Sequence, residues 1–174
     1  SQSWDGNFLL GFPGHPGGFA DSRLGADARC QHLADEGGLG GIWKAVISRS
    51  SPDGSEDANA IPAWTGYIYN LLGETVQTNA ALNMWDPAVP LENRIRVQDN
   101  QFVFNAATFV WSGTTDTGVA HPATCLDWSS NTTGKGNRGD ASRTAKNGFL
   151  NSWINHDALG GFCNQQSKLY CVEL

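Results

Sequence analysis

Apolar residues along the chain follow two different periods, separated by long polar and glycine-rich stretches. Ala26, Cys30, Leu33 and Ala34 fall at i, i+4, i+7 and i+8, which predicts a helix ending near Asp35 with a cysteine on its apolar face. Asp21 or Ser22 can cap its start, and Gly37-Gly38 stops it. Residues 42–48 (IWKAVIS), 102–111 and 167–173 (SKLYCVE) are aromatic and β-branched, and each predicts a strand. A short helix is predicted over 79–85, ending before Pro87. The run 67–72 (YIYNLL) is apolar but too short to assign a type. Residues 1–21 carry Gly11-Phe-Pro-Gly-His-Pro-Gly-Gly18 and read as an N-terminal loop or edge segment, and 50–57 as a solvated loop. Between Cys125 and Cys163 the chain is polar, with little periodicity. A loop of that length in a compact domain is usually functional or disordered.

Composition narrows the class. A chain of 174 residues without repeats or a dividing linker fits one domain, 1–174. With 21 glycines and 16% charged residues it predicts a loop-rich fold with many tight turns, not a helical bundle. The net charge of −6 argues against nucleic acid and heparin-like polyanions, whose affinity comes from clustered Lys and Arg. Lys135, Arg138, Arg143 and Lys146 make up the one basic cluster. No apolar run approaches the ~18 residues of a membrane span, so membrane insertion is not expected. No signal peptide pattern opens the sequence, and Ser1 reads as the start of a mature chain or of an excised fragment, which leaves room for a linker or anchor upstream.

The cysteines are Cys30, Cys125, Cys163 and Cys171, and none of them forms a C-x-x-C pair. They predict two disulfides and an oxidising compartment, hence a secreted or cell-surface protein. Their spacing leaves three connectivities open.

Several blocks together resemble endostatin-type domains. They are Leu24-Gly-Ala-Asp-Ala-Arg-Cys-Gln31, Gly38-Leu-Gly-Gly-Ile-Trp-Lys-Ala-Val-Ile-Ser-Arg49, Val110-Trp-Ser-Gly113, Thr124-Cys-Leu-Asp-Trp128 and Lys168-Leu-Tyr-Cys-Val-Glu173, in that order. The style is closest to bacterial endostatin-like surface domains, several of which are adhesins, within the wider C-type-lectin-like superfamily. That resemblance implies an α+β fold of the C-type-lectin-like kind, with nested disulfides, Cys30–Cys171 and Cys125–Cys163, two small antiparallel sheets, two helices and a long loop region. It also implies that the long loop region binds the ligand.

The chemistry-bearing residues point to binding. There is no G-x-S-x-G elbow, no H-E-x-x-H and no phosphate-binding glycine loop, so no enzyme is expected. The calcium tripeptides of the superfamily's lectins are missing; Asp127, Asp140, Asn155 and Asp157 are the oxygen donors at hand, and turn capping is the favoured role for them. His15, His32, His121 and His156 are scattered, so no metal or other cofactor is expected. Arg138-Gly139-Asp140 is an integrin-type tripeptide in the segment expected to be exposed, and Asn131-Thr132-Thr133 is a glycan acceptor sequence. Trp43 and Trp111 read as core, whereas Trp85, Trp128 and Trp153 flank loops. The expected ligand-binding residues are Trp128, Asn131, Lys135, Asn137, Arg138, Asp140 and Asn155, with alanine at Trp128, Asn137 or Arg138 weakening binding and sparing stability. The expectation is a calcium-independent adhesion or recognition module for an extracellular glycan or surface protein. The alternative is a structural cap that trimerises through upstream segments and has no ligand of its own.

Overall fold

Helix α1 (Ser22–Glu36) forms where the periodicity predicts it. Asp21 caps it, its carboxylate accepting the backbone N–H groups of Arg23 at 2.8 Å and Leu24 at 3.2 Å. Gly38 ends it at φ 67°, a left-handed position that glycine adopts without Cβ strain, and Leu39 N–H returns to the Ala34 carbonyl at 2.9 Å. The computed structural model describes residues 3–50, 56–57, 66–95, 108–145, 152–156 and 160–174.

The buried face of α1 carries Ala26, Cys30 and Ala34 against strand β1 (Trp43–Ala45). Polar side chains bind the two together: Asp27 accepts the Ala45 N–H and Gln31 the Trp43 N–H, both at 2.9 Å. These contacts satisfy donors that an edge strand would leave open. On its other edge β1 pairs antiparallel with the last strand, β11 (Cys171–Glu173), Ala45 opposite Cys171. The Cys30–Cys171 bridge then ties the helix to that strand, and Cys125–Cys163 is nested inside it. Two bridges are compatible with an oxidising compartment.

The remaining strands are short. They are β2 (Arg49–Ser50), β3 (Glu56–Asp57), β4 (Ile68–Tyr69), β5 (Thr75–Gln77), β6 (Phe109–Trp111), β7 (Lys135–Gly136), β8 (Arg138–Asp140), β9 (Gly161–Phe162) and β10 (Lys168–Leu169). Among the described residues they form, with β1 and β11, four two-stranded pairs and one three-stranded sheet, β10-β6-β8. The α+β class therefore stands, while the expectation of two sheets, both antiparallel, needs correction. The sheet is split into small pieces, and β10 runs parallel to β6. The expected terminal strand is interrupted at Tyr170, whose carbonyl accepts the Val46 N–H at 2.9 Å and whose ring enters the core. A second helix, α2 (Ala80–Asn83), lies within the predicted short helix. The front part of the predicted 102–111 strand lies outside the described residues.

Two apolar clusters hold these pieces. One gathers Val46, Val76, Met84, Val110, Trp153, Ile154 and Tyr170; the other gathers Phe8, Ala26, Ile47, Trp111, Trp128 and the bridges. The N-terminal segment joins the second cluster through Arg29, which sequence reasoning passed over. Its guanidinium donates to the carbonyls of Gly25 (2.8 Å), Leu10 (2.9 Å) and Phe8 (3.3 Å) and lies over the rings of Trp4, Phe8 and Phe12. Burial lowers its pKa to about 10, so it stays charged at neutral pH.

Candidate functional site

The segment from Cys125 to Cys163 is not a free loop. It opens with a left-handed turn: Cys125, Leu126, Asp127 and Trp128 have φ of 51°, 56°, 54° and 61°. Such a turn costs roughly 1–2 kcal/mol per residue for L-amino acids. It persists because both ends are pinned, Cys125 by its disulfide and Trp128 by burial. The Trp128 indole donates to the Ser48 carbonyl at 2.8 Å, and its ring packs on Phe8 and Trp111. Leu126 at the tip is 65% exposed and carries strain without burial in return. Leu126→Gly is therefore expected to stabilise the protein by about 0.5–1 kcal/mol, the released strain outweighing the added freedom of the unfolded chain. A denaturation midpoint at or below that of the parent would refute it.

The integrin-type tripeptide is likewise interior. It forms β8, paired with β6 so that Trp111 faces Arg138 and Phe109 faces Asp140. The Arg138 guanidinium lies 4.1 Å from the Phe109 ring centre and donates to Gln165 at 3.1 Å. At Gly139 a Cβ would collide with the Trp153 carbonyl, so only glycine fits. The Asp140 carboxylate is fully buried and accepts the N–H groups of Ser142 (2.9 Å) and Thr108 (3.2 Å) and Arg143 Nε (3.3 Å). The expectation that this tripeptide sits in an exposed loop is corrected: buried polar residues here stitch strands together.

The other expected ligand residues are dispersed. Asn137 is fully buried, its amide oxygen accepting the Ser112 hydroxyl at 2.7 Å and its amide nitrogen donating to Asn155 at 2.6 Å. Asn131 is half-buried and donates to Asp5 at 3.2 Å. Lys135 is exposed, its ammonium 5.5 Å from the Phe162 ring centre. The structure thus brings Asn137 and Asn155 together but gathers no shared solvent face from the seven. Asp157 and Lys146 lie outside the described residues, and Arg138, held over the Phe109 ring, leaves the expected basic cluster.

The histidines are spread too. Among the described residues, no three His, Cys, Asp or Glu side chains converge as a metal site would require. Burial lowers the pKa of His121, whose Nδ1 accepts the Ala123 N–H at 3.0 Å and so favours the neutral ring. Its folded pKa lies below the unfolded 6.5, so its contribution to stability is complete above pH 6.5 and lost as pH falls through the folded value. His121→Asn, which keeps an acceptor without titrating, is expected to flatten the stability slope below that pH. Equal slopes in the two proteins, measured by denaturant melts, would count against this account.

A deep cleft lies elsewhere, between α1, β11 and the β4–β5 hairpin. Its volume is about 590 Å³, and its walls include Leu33, Val76, Val110, Trp153 and Tyr170. Tyr67 and Tyr69 contribute to its lining, 64% and 57% exposed, their rings stacked with centres 6.2 Å apart. The two tyrosines share a face because they are two residues apart on an extended segment. Sequence reasoning left 67–72 untyped, although the Tyr-x-Tyr alternation was the available signal. Among the described residues, the ionisable side chains lining the cleft are three tyrosines, Lys168 and Glu173, and both cysteines there are in disulfides. No protein-family model matches the chain, and no curated protein shows significant similarity to it.

Proposed function

We propose that the chain is a non-catalytic recognition module, of the C-type-lectin-like, endostatin kind, that binds an extracellular glycan or surface protein without calcium. The observation that carries this reading is the stacked, exposed Tyr67–Tyr69 pair at the cleft. Flat aromatic faces with hydroxyl tips suit sugar rings and polar protein surfaces alike. The nested cysteine pairing, which is the one the resemblance implies, supports the fold assignment and with it a secreted or cell-surface location.

A glycan and matrix-protein array, run with and without a calcium chelator, tests the reading. The protein is expected to bind in chelator, to bind heparin weakly at physiological salt, and to lose its ligand when Tyr67 and Tyr69 are both replaced by alanine. Undiminished binding by that double variant, or binding that returns only with added calcium, would overturn the proposal. The structural-cap reading keeps one specific support: Leu71 and Leu72 beside the tyrosines are also about half exposed, an apolar patch suited to self-association. Sedimentation equilibrium tests self-association through this patch, which a monomer would exclude.

A further inference from the structure

One sheet edge is left open at the cleft. Among the described residues, β11 pairs only with β1, in a sheet of two strands. Val46 N–H donates to the Tyr170 carbonyl and Leu174 N–H to the Ile42 carbonyl, both at 2.9 Å. Backbone groups alternate between the two sides of an antiparallel strand. Lys44 and Val172 therefore face each other, while Cys171 and Glu173 turn their N–H and C=O groups away from β1. The matching residues of β1, Trp43 and Ala45, also point outward, and there Gln31 and Asp27 accept their N–H groups. Cys171 and Glu173 have no such backbone partner among the described residues.

That edge is reached from solvent. Around β11, β1 takes one edge, α1 takes the Cys171 face through Cys30, and the first apolar cluster takes the Val172 face. The remaining side is the edge with the free groups. Tyr170 to Glu173 follow one another along the cleft wall, Cys171 and Val172 half-buried and Glu173 exposed. The β4–β5 hairpin contributes Tyr67, Ile68 and Tyr69 to the same cleft. A charge is unmet here too: among the described residues the Glu173 carboxylate forms no ion pair, in a chain of net charge −6.

We propose that this edge takes an extended peptide segment of another protein, apolar at alternate positions with a lysine or arginine between them, as a strand added beside β11. The free groups of Cys171 and Glu173 supply the ladder, and main-chain bonds of this kind give strand additions their affinity. Side chains of the incoming strand alternate between its two faces. Those on the Val172 side meet the apolar wall of the cleft, and the basic residue between them lies next to Glu173. A second copy of the chain is the poorer occupant, because its own β11 would bring another Glu173 to the same short edge. The proposal rests on the recognition reading, whose tyrosines line the same cleft, and narrows its partner to a protein.

The probe is the capped peptide acetyl-Thr-Thr-Val-Lys-Val-Thr-Thr-amide, titrated into the full chain. Amide exchange followed by NMR is expected to slow at Cys171 and Glu173 and to stay unchanged at Val172, whose N–H already faces Lys44. Methylating the backbone nitrogen of the lysine, or instead those of both valines, removes donors from opposite edges of the peptide strand. One of these variants should bind like the parent peptide and the other lose about ten-fold, the worth of a hydrogen bond. Glutamate in place of the lysine should weaken binding about five-fold, a difference that Glu173→Gln should erase. No peptide binding, equal binding by the two methylated peptides, no preference for lysine over glutamate, or uniform exchange across 171–173 would overturn the proposal. A protein that ignores the peptide yet keeps an array ligand through Tyr67 and Tyr69 would sink the added strand and leave the recognition reading standing.

Discussion

Replacing Cys30 and Cys171 together by alanine is expected to lower the unfolding free energy by up to about 5 kcal/mol, the upper figure of the chain-entropy model. That bridge joins residues separated by 141 positions, so it removes more freedom from the unfolded chain than Cys125–Cys163, which spans 38 and is worth about 4 kcal/mol on the same scale. The native side of the balance points the same way. Cys30 is fully buried between α1 and β1, and the bridge clamps α1 to β11 on the far side of the same two-stranded sheet. Strands of two or three residues have few ladder bonds of their own, so the sheet depends on such clamps. Since whole domains are stable by only about 5–15 kcal/mol, the double variant should sit near its unfolding midpoint. Guanidinium melts of the parent and both double variants provide the measurement. A loss below about 1 kcal/mol for the Cys30–Cys171 pair would show that packing, not the bridge, holds these elements.

What could be read from the sequence follows from how locally each element is determined. Helix α1 was legible because its cap, its apolar period and its glycine stop all lie within a single window, 21–38. The polar segment after Cys125 was illegible for the opposite reason. Arg138, Asp140 and Asn137 read as surface residues by type, and each is buried only because its partner arrives from far along the chain. Phe109 lies under Arg138, Thr108 N–H meets Asp140, and Ser112 meets Asn137. No periodicity records such partners, and strands of two or three residues are too short to show alternation. Arg29 was missed on the same grounds, a charged residue buried by carbonyls and rings that the N-terminal segment supplies. The left-handed turn at Cys125–Trp128 runs against local preference altogether, and only its two anchored ends sustain it.

Trp128→Ala brings this difference to a measurable point. If Trp128 were a platform on a free loop, its loss would weaken ligand binding and leave the melting temperature unchanged. The structure predicts the reverse. The indole is 1% exposed between Phe8 and Trp111 and donates to the Ser48 carbonyl, so truncation opens a cavity and deletes a buried hydrogen bond at once. Substitutions of this kind cost about 3–5 kcal/mol. Alanine also inherits the positive φ of 61°, so the strain of the turn remains while its anchor is gone. Trp128→Phe separates the contributions: it keeps most of the apolar volume and loses the donor, and should cost about 1–2 kcal/mol. Tyr67→Ala with Tyr69→Ala serves as the control, because exposed rings should alter binding and hardly move the melting temperature. Should Trp128→Ala melt with the parent and yet bind less, the burial account would fail and the segment after Cys125 would again be the place to look for the ligand.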